Sequence, residues 1–186
     1  TIRIVTDSTC DLPQEIIQQH GIGVVPLYIH AGGREYQDGV DLSRREFYER
    51  LPSFHPAPTT AVPSPEVFRR AYDRMAEEGA SEVLSIHISV KLSAMADIAR
   101  EGAKITKTLP VTVLDSRQLS LGMGFQVLAA AEAAAAGRTM PEILAMLEGQ
   151  ISRTHVFAAL DTLEFMRRSG RMNFALATLG TLLQIK

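Results

Sequence analysis

Three polar clusters in this chain of 186 residues each follow a short β-branched run: Asp7-Ser8-Thr9, Ser89-Val90-Lys91-Leu92-Ser93 and Asp115-Ser116. Open α/β sheets bind ligands beyond the carboxyl ends of their strands. If the three strands are parallel neighbours, the clusters share one edge, with Thr59-Thr60 from a proline-rich loop within reach. Ser93 stands at the head of a helical pattern, where unpaired backbone N–H groups and the positive dipole end favour an anion. A hydroxyl there donates to one oxygen of the anion while adjacent N–H groups donate to the other. Thr60 adds a second hydroxyl. Such a site suits a carboxylate or phosphate held by neutral donors. Taken singly, Ser93 and Thr60 need do no more than cap a helix and a turn.

The competing chemistry is a hydrolase or phosphotransferase, with Ser93 as nucleophile and Asp7 or Asp115 at the strand edge. The chain has no Gly-x-Ser-x-Gly elbow, no P-loop and no Gly-x-Gly-x-x-Gly. Gly122-x-Gly124 alone is weak evidence for a phosphate cradle. His87 lies inside an apolar strand, which fits a satisfied core residue better than a general base. His20, His30, His55 and His155 show no ligand spacing, and no Cys/His pair resembles a zinc site. Asp7 and Asp115 could pair as carboxylates on a metal, but they are expected instead to cap turns and hydrogen-bond loop backbone, and neither metal nor cofactor is expected. Arg167, Arg168 and Arg171 beside Gly170 read as a solvated turn or as a docking site for a partner.

Composition narrows the classes. Apolar residues make up 46% and charged residues 22%, which excludes a disordered chain. Nineteen Lys and Arg against 21 Asp and Glu give a net charge of −2, without the basic surplus of a nucleic-acid binder. No apolar run is long enough to span a membrane. A single Cys and an N-terminus that enters a strand pattern directly lead to a cytoplasmic expectation.

The elements that must position these residues alternate. Strands are expected at 2–6, 22–29, 83–88 and 111–114, with a hairpin return at 34–36 after Gly32-Gly33. Pro26 marks an edge or bulge. Helices are expected at 13–20, 43–51 behind a Ser43/Glu46 capping box, 65–78 behind Ser64-Pro65, 92–107, 118–136 and 140–151. The five prolines between 52 and 65 exclude a regular element there. The pattern implies an α/β fold, a mainly parallel sheet with helices on both faces. After residue 152 a strand at 155–160, a short helix at 163–168 and an apolar stretch at 174–185 read as the start of a second α/β domain, too short to bury its own core. The division is 1–152 and 153–186.

Several blocks together make a specific resemblance. Ile4 to Leu12 (Ile-Val-Thr-Asp-Ser-Thr-Cys-Asp-Leu), Thr59-Thr60-Ala61-Val62-Pro63-Ser64-Pro65, Ser89 to Ser93, and Asp115-Ser116 with Ser120, Gly122 and Gly124 resemble the DegV family of bacterial fatty-acid-binding proteins. Leu160 to Phe165, Gly170-Arg171 and Leu179 to Lys186 continue the likeness in family order. The resemblance implies two α/β domains with a long acyl chain in an apolar tunnel between them. It places the carboxylate on Thr60 and Ser93, with Ser89, Ala94, Asp7, Ser8 and Ser116 around it. It implies no catalysis by the protein itself: the bound fatty acid is presented to a separate fatty acid kinase that makes the acyl phosphate. Arg167 and Arg171 are then candidates for docking that partner. Met95, Met123, Phe125, Leu163, Phe165 and Met166 are candidate walls. Val90, Ala94-Met95 and Ser169 depart from the family's Ser, Gly-Thr and Gly. Family members continue well past the final block, so an incomplete second domain is expected.

Overall fold

A computed structural model describes residues 1–171. Elements follow in the order β1 (Ile2–Asp7), a 3-10 turn (Ser8–Cys10), α1 (Gln14–Gln19), β2 (Gly23–Val25), β3 (Tyr28–Ala31), β4 (Arg34–Gln37), α2 (Arg44–Arg50) and a second 3-10 turn (Leu51–Ser53). Then come β5 (Thr59–Ala61), α3 (Pro65–Glu77), β6 (Glu82–His87), α4 (Met95–Ile105), β7 (Val111–Asp115), α5 (Ser120–Ala135) and α6 (Met140–Ile151). These lie in a first compact unit, Thr1–His155; α7 (Glu164–Arg168) lies in a second that begins at Val156.

Four strands form a parallel sheet in the order β2-β1-β6-β7, with Ile4 opposite Leu84 and Ile86 opposite Leu114. Its strands are apolar on both sides because both sides are covered. Alternate residues point to opposite faces. Ile4, Leu84 and Ile86 meet Met123, Val127, Ile143 and Leu147 from α5 and α6. Val5 and Val83 meet Phe68, Tyr72, Met75, Met95 and Ala99 from α3 and α4. Each fully buried large side chain contributes about 1.5–3 kcal/mol. Among the described residues no helix is long and apolar enough to cross a membrane.

A second, antiparallel sheet in the order β4-β3-β5 departs from the sequence expectation. The single strand expected at 22–29 is two strands in different sheets, divided at Pro26-Leu27. Pro26 has no N–H to give a ladder, so the chain leaves the parallel sheet there. The hairpin turn at Gly32-Gly33 forms as expected, both glycines at positive φ (+57° and +74°). Within the proline-rich stretch, Thr59–Ala61 still pairs with β3, because Pro58 and Pro63 leave four residues between them with their N–H groups intact. The strand expected at 155–160 is absent from the described residues, where no neighbour supplies a ladder. The apolar stretch at 174–185 lies outside them.

The alanine-rich α5 owes its small residues to close approach. A Cβ on Gly124 would stand 2.5 Å from the carbonyl oxygen of Cys10 and 3.2 Å from Leu12. Gly124 is therefore a contact point between α5 and the 3-10 turn after β1, a packing reason for the glycine. Gly124→Ala should gain about 1 kcal/mol of helix propensity and lose about 1–3 kcal/mol to overpacking, since a backbone oxygen cannot swing aside. A lower urea midpoint is the expected result; an unchanged or higher one contradicts this packing.

Candidate functional site

Because β1, β6 and β7 are parallel and adjacent, the three polar clusters do reach one edge of the sheet. There they bind each other. Asp7 is fully buried, and its Oδ2 accepts from His87 Nδ1 at 2.9 Å and from the Ile88 amide at 3.2 Å. Its Oδ1 accepts from the amide and hydroxyl of Thr9. The chain of contacts continues through the strand. His87 Nε2 lies 2.7 Å from Ser85 Oγ, which lies 2.9 Å from the Tyr72 hydroxyl. Burial raises the pKa of Asp7, but the His87 ring and the Thr9 and Ile88 donors more than offset it and hold the carboxyl below its ordinary value. Burial likewise drives the Tyr72 phenol up, so it stays protonated.

Asp115 receives the neighbouring backbone. Its Oδ1 accepts from the Val90 amide at 3.3 Å and the Arg117 amide at 2.9 Å. Between the two carboxylates, the Ser89 amide donates to Gln118 O at 2.9 Å. The Ser116 amide donates to His87 O at 3.0 Å. Ser116 Oγ exchanges hydrogen bonds with the Gln118 backbone, and buried Gln126 donates to Ser116 O at 3.1 Å. Ser89 is buried, and its Oγ accepts from the Lys91 amide.

The seven candidate ligand residues thus divide. Asp7, Ser8, Ser89 and Ser116 are buried and engaged within the protein, so they build the edge rather than face outward from it. Thr60, Ser93 and Ala94 retain surface. Thr60 sits in β5 opposite Ile29. Ser93 precedes α4 by two residues, because the helix begins at Met95 and not at 92. Its amide closes a turn on Ser89 O at 3.1 Å, and its Oγ accepts only a long 3.4 Å contact from the Met95 amide. The hydroxyl remains able to donate. The sheets are linked by Ser8, whose Oγ accepts from the Leu27 amide at 3.2 Å just before β3. Arg44 at the start of α2 adds bonds to Ser8 O and Asp11. Ser8 and Arg44 also line a cleft of about 470 Å³ with Leu12, Ile17, Val24 and Val40 among its other walls.

Among the described residues, no hydrogen bond gives Ser93 a base. No described hydrogen bond joins it to Asp7 or Asp115, whose oxygens serve backbone and His87. The Asp7-His87-Ser85 series has the order of a hydrolytic triad, yet Ser85 has no exposed surface and is shared with Tyr72. His87 is the satisfied core residue its apolar strand suggested. Its partners were not legible, because nothing local in the sequence links residue 87 to residues 7 and 72. Of the candidate walls, Met95 and Met123 are fully buried core, whereas Phe125 and Phe165 are exposed. In the second unit, Arg168 pairs with Glu164 and Arg171 donates to Ser169 O at 2.7 Å.

Comparison with known proteins agrees with this architecture. A profile of the DegV family of uncharacterised proteins matches residues 1–186. A DegV domain-containing protein of Deinococcus radiodurans is 44% identical over 186 residues, which are all of this chain and 66% of that one. One from Streptomyces coelicolor is 38% identical, with 100% and 65% covered. Among solved structures, a DegV family protein from Thermus thermophilus, described as binding fatty acid, is 43% identical with a TM-score of 0.84 over 98% of this chain and 64% of its own. Bacillus subtilis DegV, described as a fatty acid binding protein, is 28% identical with a TM-score of 0.85, covering 96% and 64%. The chain spans about 65% of the length of these curated relatives.

The Asp7 geometry has a consequence for acid stability. A carboxyl more acidic in the folded than in the unfolded chain contributes stability that is complete well above its ordinary value of 3.8 and is lost as the pH falls through the folded value. Asp7→Asn should lower stability at neutral pH by about 3 kcal/mol, the cost of leaving a buried partner uncompensated. It should also flatten the acid limb of the pH–stability curve below pH 3.8. Denaturant titrations across pH check both; an acid limb unchanged by the substitution contradicts the assignment.

Proposed function

Because this chain belongs to the DegV family, we propose that it binds a long-chain fatty acid in the cytoplasm and presents it to a separate fatty acid kinase. The carboxylate is held by the hydroxyls of Thr60 and Ser93 and by amide N–H groups of the first turn of α4, beside Ala94. The tail lies in an apolar tunnel. The observation that carries this reading is the likeness to the Thermus thermophilus protein, described as fatty-acid binding, at 43% identity over 98% of this chain.

The energetics suit a carrier. Burying the tail contributes about 0.8 kcal/mol per CH₂, so affinity comes mainly from the chain while the head group sets orientation. Neutral donors are sufficient for that. Unfilled N–H groups at a helix start already favour negative charge, and an alcohol adds direction without the desolvation cost of burying a lysine or arginine. On this reading the protein performs no chemistry on its ligand. The carboxylate stays at the edge of the sheet, and the separate kinase that forms the acyl phosphate docks through Arg167 and Arg171.

Native mass spectrometry of the complete gene product purified from bacteria should show a co-purifying fatty acid. Ser93→Ala and Thr60→Val should each weaken fatty-acid binding by about tenfold, the loss of one hydydrogen bond to a charged group. A complete protein that carries no lipid and ignores added fatty acid refutes the reading. So does turnover of generic ester or phosphoester substrates that Ser93→Ala abolishes.

A further inference from the structure

We propose that Asp7 and Asp115 are positioning residues for the Ser93 hydroxyl, each pinning the backbone N–H of one chain neighbour of Ser89, where the Ser89–Ser93 turn begins. The proposal rests on the reading of Ser93 as a head-group donor. Three consecutive amides after β6 go to three different acceptors. Ile88 N–H goes to Asp7 Oδ2 on β1, Ser89 N–H to Gln118 O, and Val90 N–H to Asp115 Oδ1 at the end of β7. The 87–88 peptide is therefore held from β1, and the two peptide planes that flank Ser89 are held by Gln118 in the loop after β7 and by Asp115 at the end of β7. The Ser89 carbonyl then accepts from the amides of Leu92 at 2.9 Å and Ser93 at 3.1 Å. The position of Ser93 follows from that of Ser89, and that of Ser89 from Gln118 O together with the two carboxylates that hold its chain neighbours Ile88 and Val90.

A carboxylate fits this task because it only accepts, and ionised acceptors make the stronger hydrogen bonds. Asp7 needs both oxygens, for it also takes His87 Nδ1 and the Thr9 amide and hydroxyl. An Asn there would set an NH₂ against donors. Asp115 serves Val90 and Arg117 through the single oxygen Oδ1, so Asn in its place keeps the needed acceptor. The two positions differ in what a conservative change does to them.

The test compares oleate with oleyl alcohol, which shares the tail and lacks the carboxylate, on the complete gene product. Asp7→Asn and Asp115→Ala should each weaken oleate by about tenfold while oleyl alcohol changes by less than about twofold. Asp115→Asn should recover most of the oleate affinity. A role in stability alone lowers both ligands in parallel and overturns the proposal, as does a wild-type oleate-to-alcohol ratio in Asp115→Ala. If Asp7→Asn does not fold, the half-buried Asp115 decides the matter by itself. Ser93→Ala separates the two levels. Loss of oleate selectivity there with none in the Asp115 variant refutes only the positioning role; unchanged selectivity in Ser93→Ala removes the head-group reading and this proposal with it.

Discussion

The buried carboxylate of Asp7 is the constraint on which the edge of the sheet depends. It joins the last residue of β1 to the last residue of β6 through His87, and to the first residue of the following loop through Ile88. A charge with no exposed surface is costly unless donors surround it. Here they do, from a ring nitrogen, two amides and a hydroxyl. The same bonds that make the charge tolerable fix the loops around it. Satisfying Asp7 and shaping the site are one requirement.

Around that point the fold is conservative. Strand-to-helix crossovers cover both faces of a parallel sheet, and the helices approach closely where glycine permits it. Gly124 lets α5 meet the turn after β1, while Gly102 lets α4 meet α3, where a Cβ would stand 2.5 Å from that of Phe68. Of the candidate hydroxyls, those of Thr60 and Ser93 retain surface. What distinguishes the edge is less the number of its hydroxyls than the density of hydrogen bonds behind them.

The parallel sheet was legible in the sequence because its strands are short β-branched runs, each ending in a turn residue, and its helices carry clear starts such as Ser64-Pro65 and Thr139-Met140-Pro141. Helix α6 matches its expected limits, and α3 differs by one residue at its end. The small antiparallel sheet was not legible. β2 and β3 lie within one continuous apolar run, and only Pro26 betrays the division; β5 hides among prolines that argue against any strand. At the edge itself, the sequence marked which clusters would gather. It did not show which members would turn inward, since Asp7 and Ser116 look as available as Ser93 until their partners eighty or ten residues away are in place.

The small sheet bears on which part of the molecule opens first. Thr60 rides on a three-residue strand over a modest core of Ile29, Ala31 and Phe54, while Ser93 is moored to the central strands. Thr60 and Ser93 thus stand on foundations of unequal strength, and local opening favours regions with few buried apolar contacts. Local opening is therefore expected first at β5, while the Ser89–Ser93 turn keeps its form.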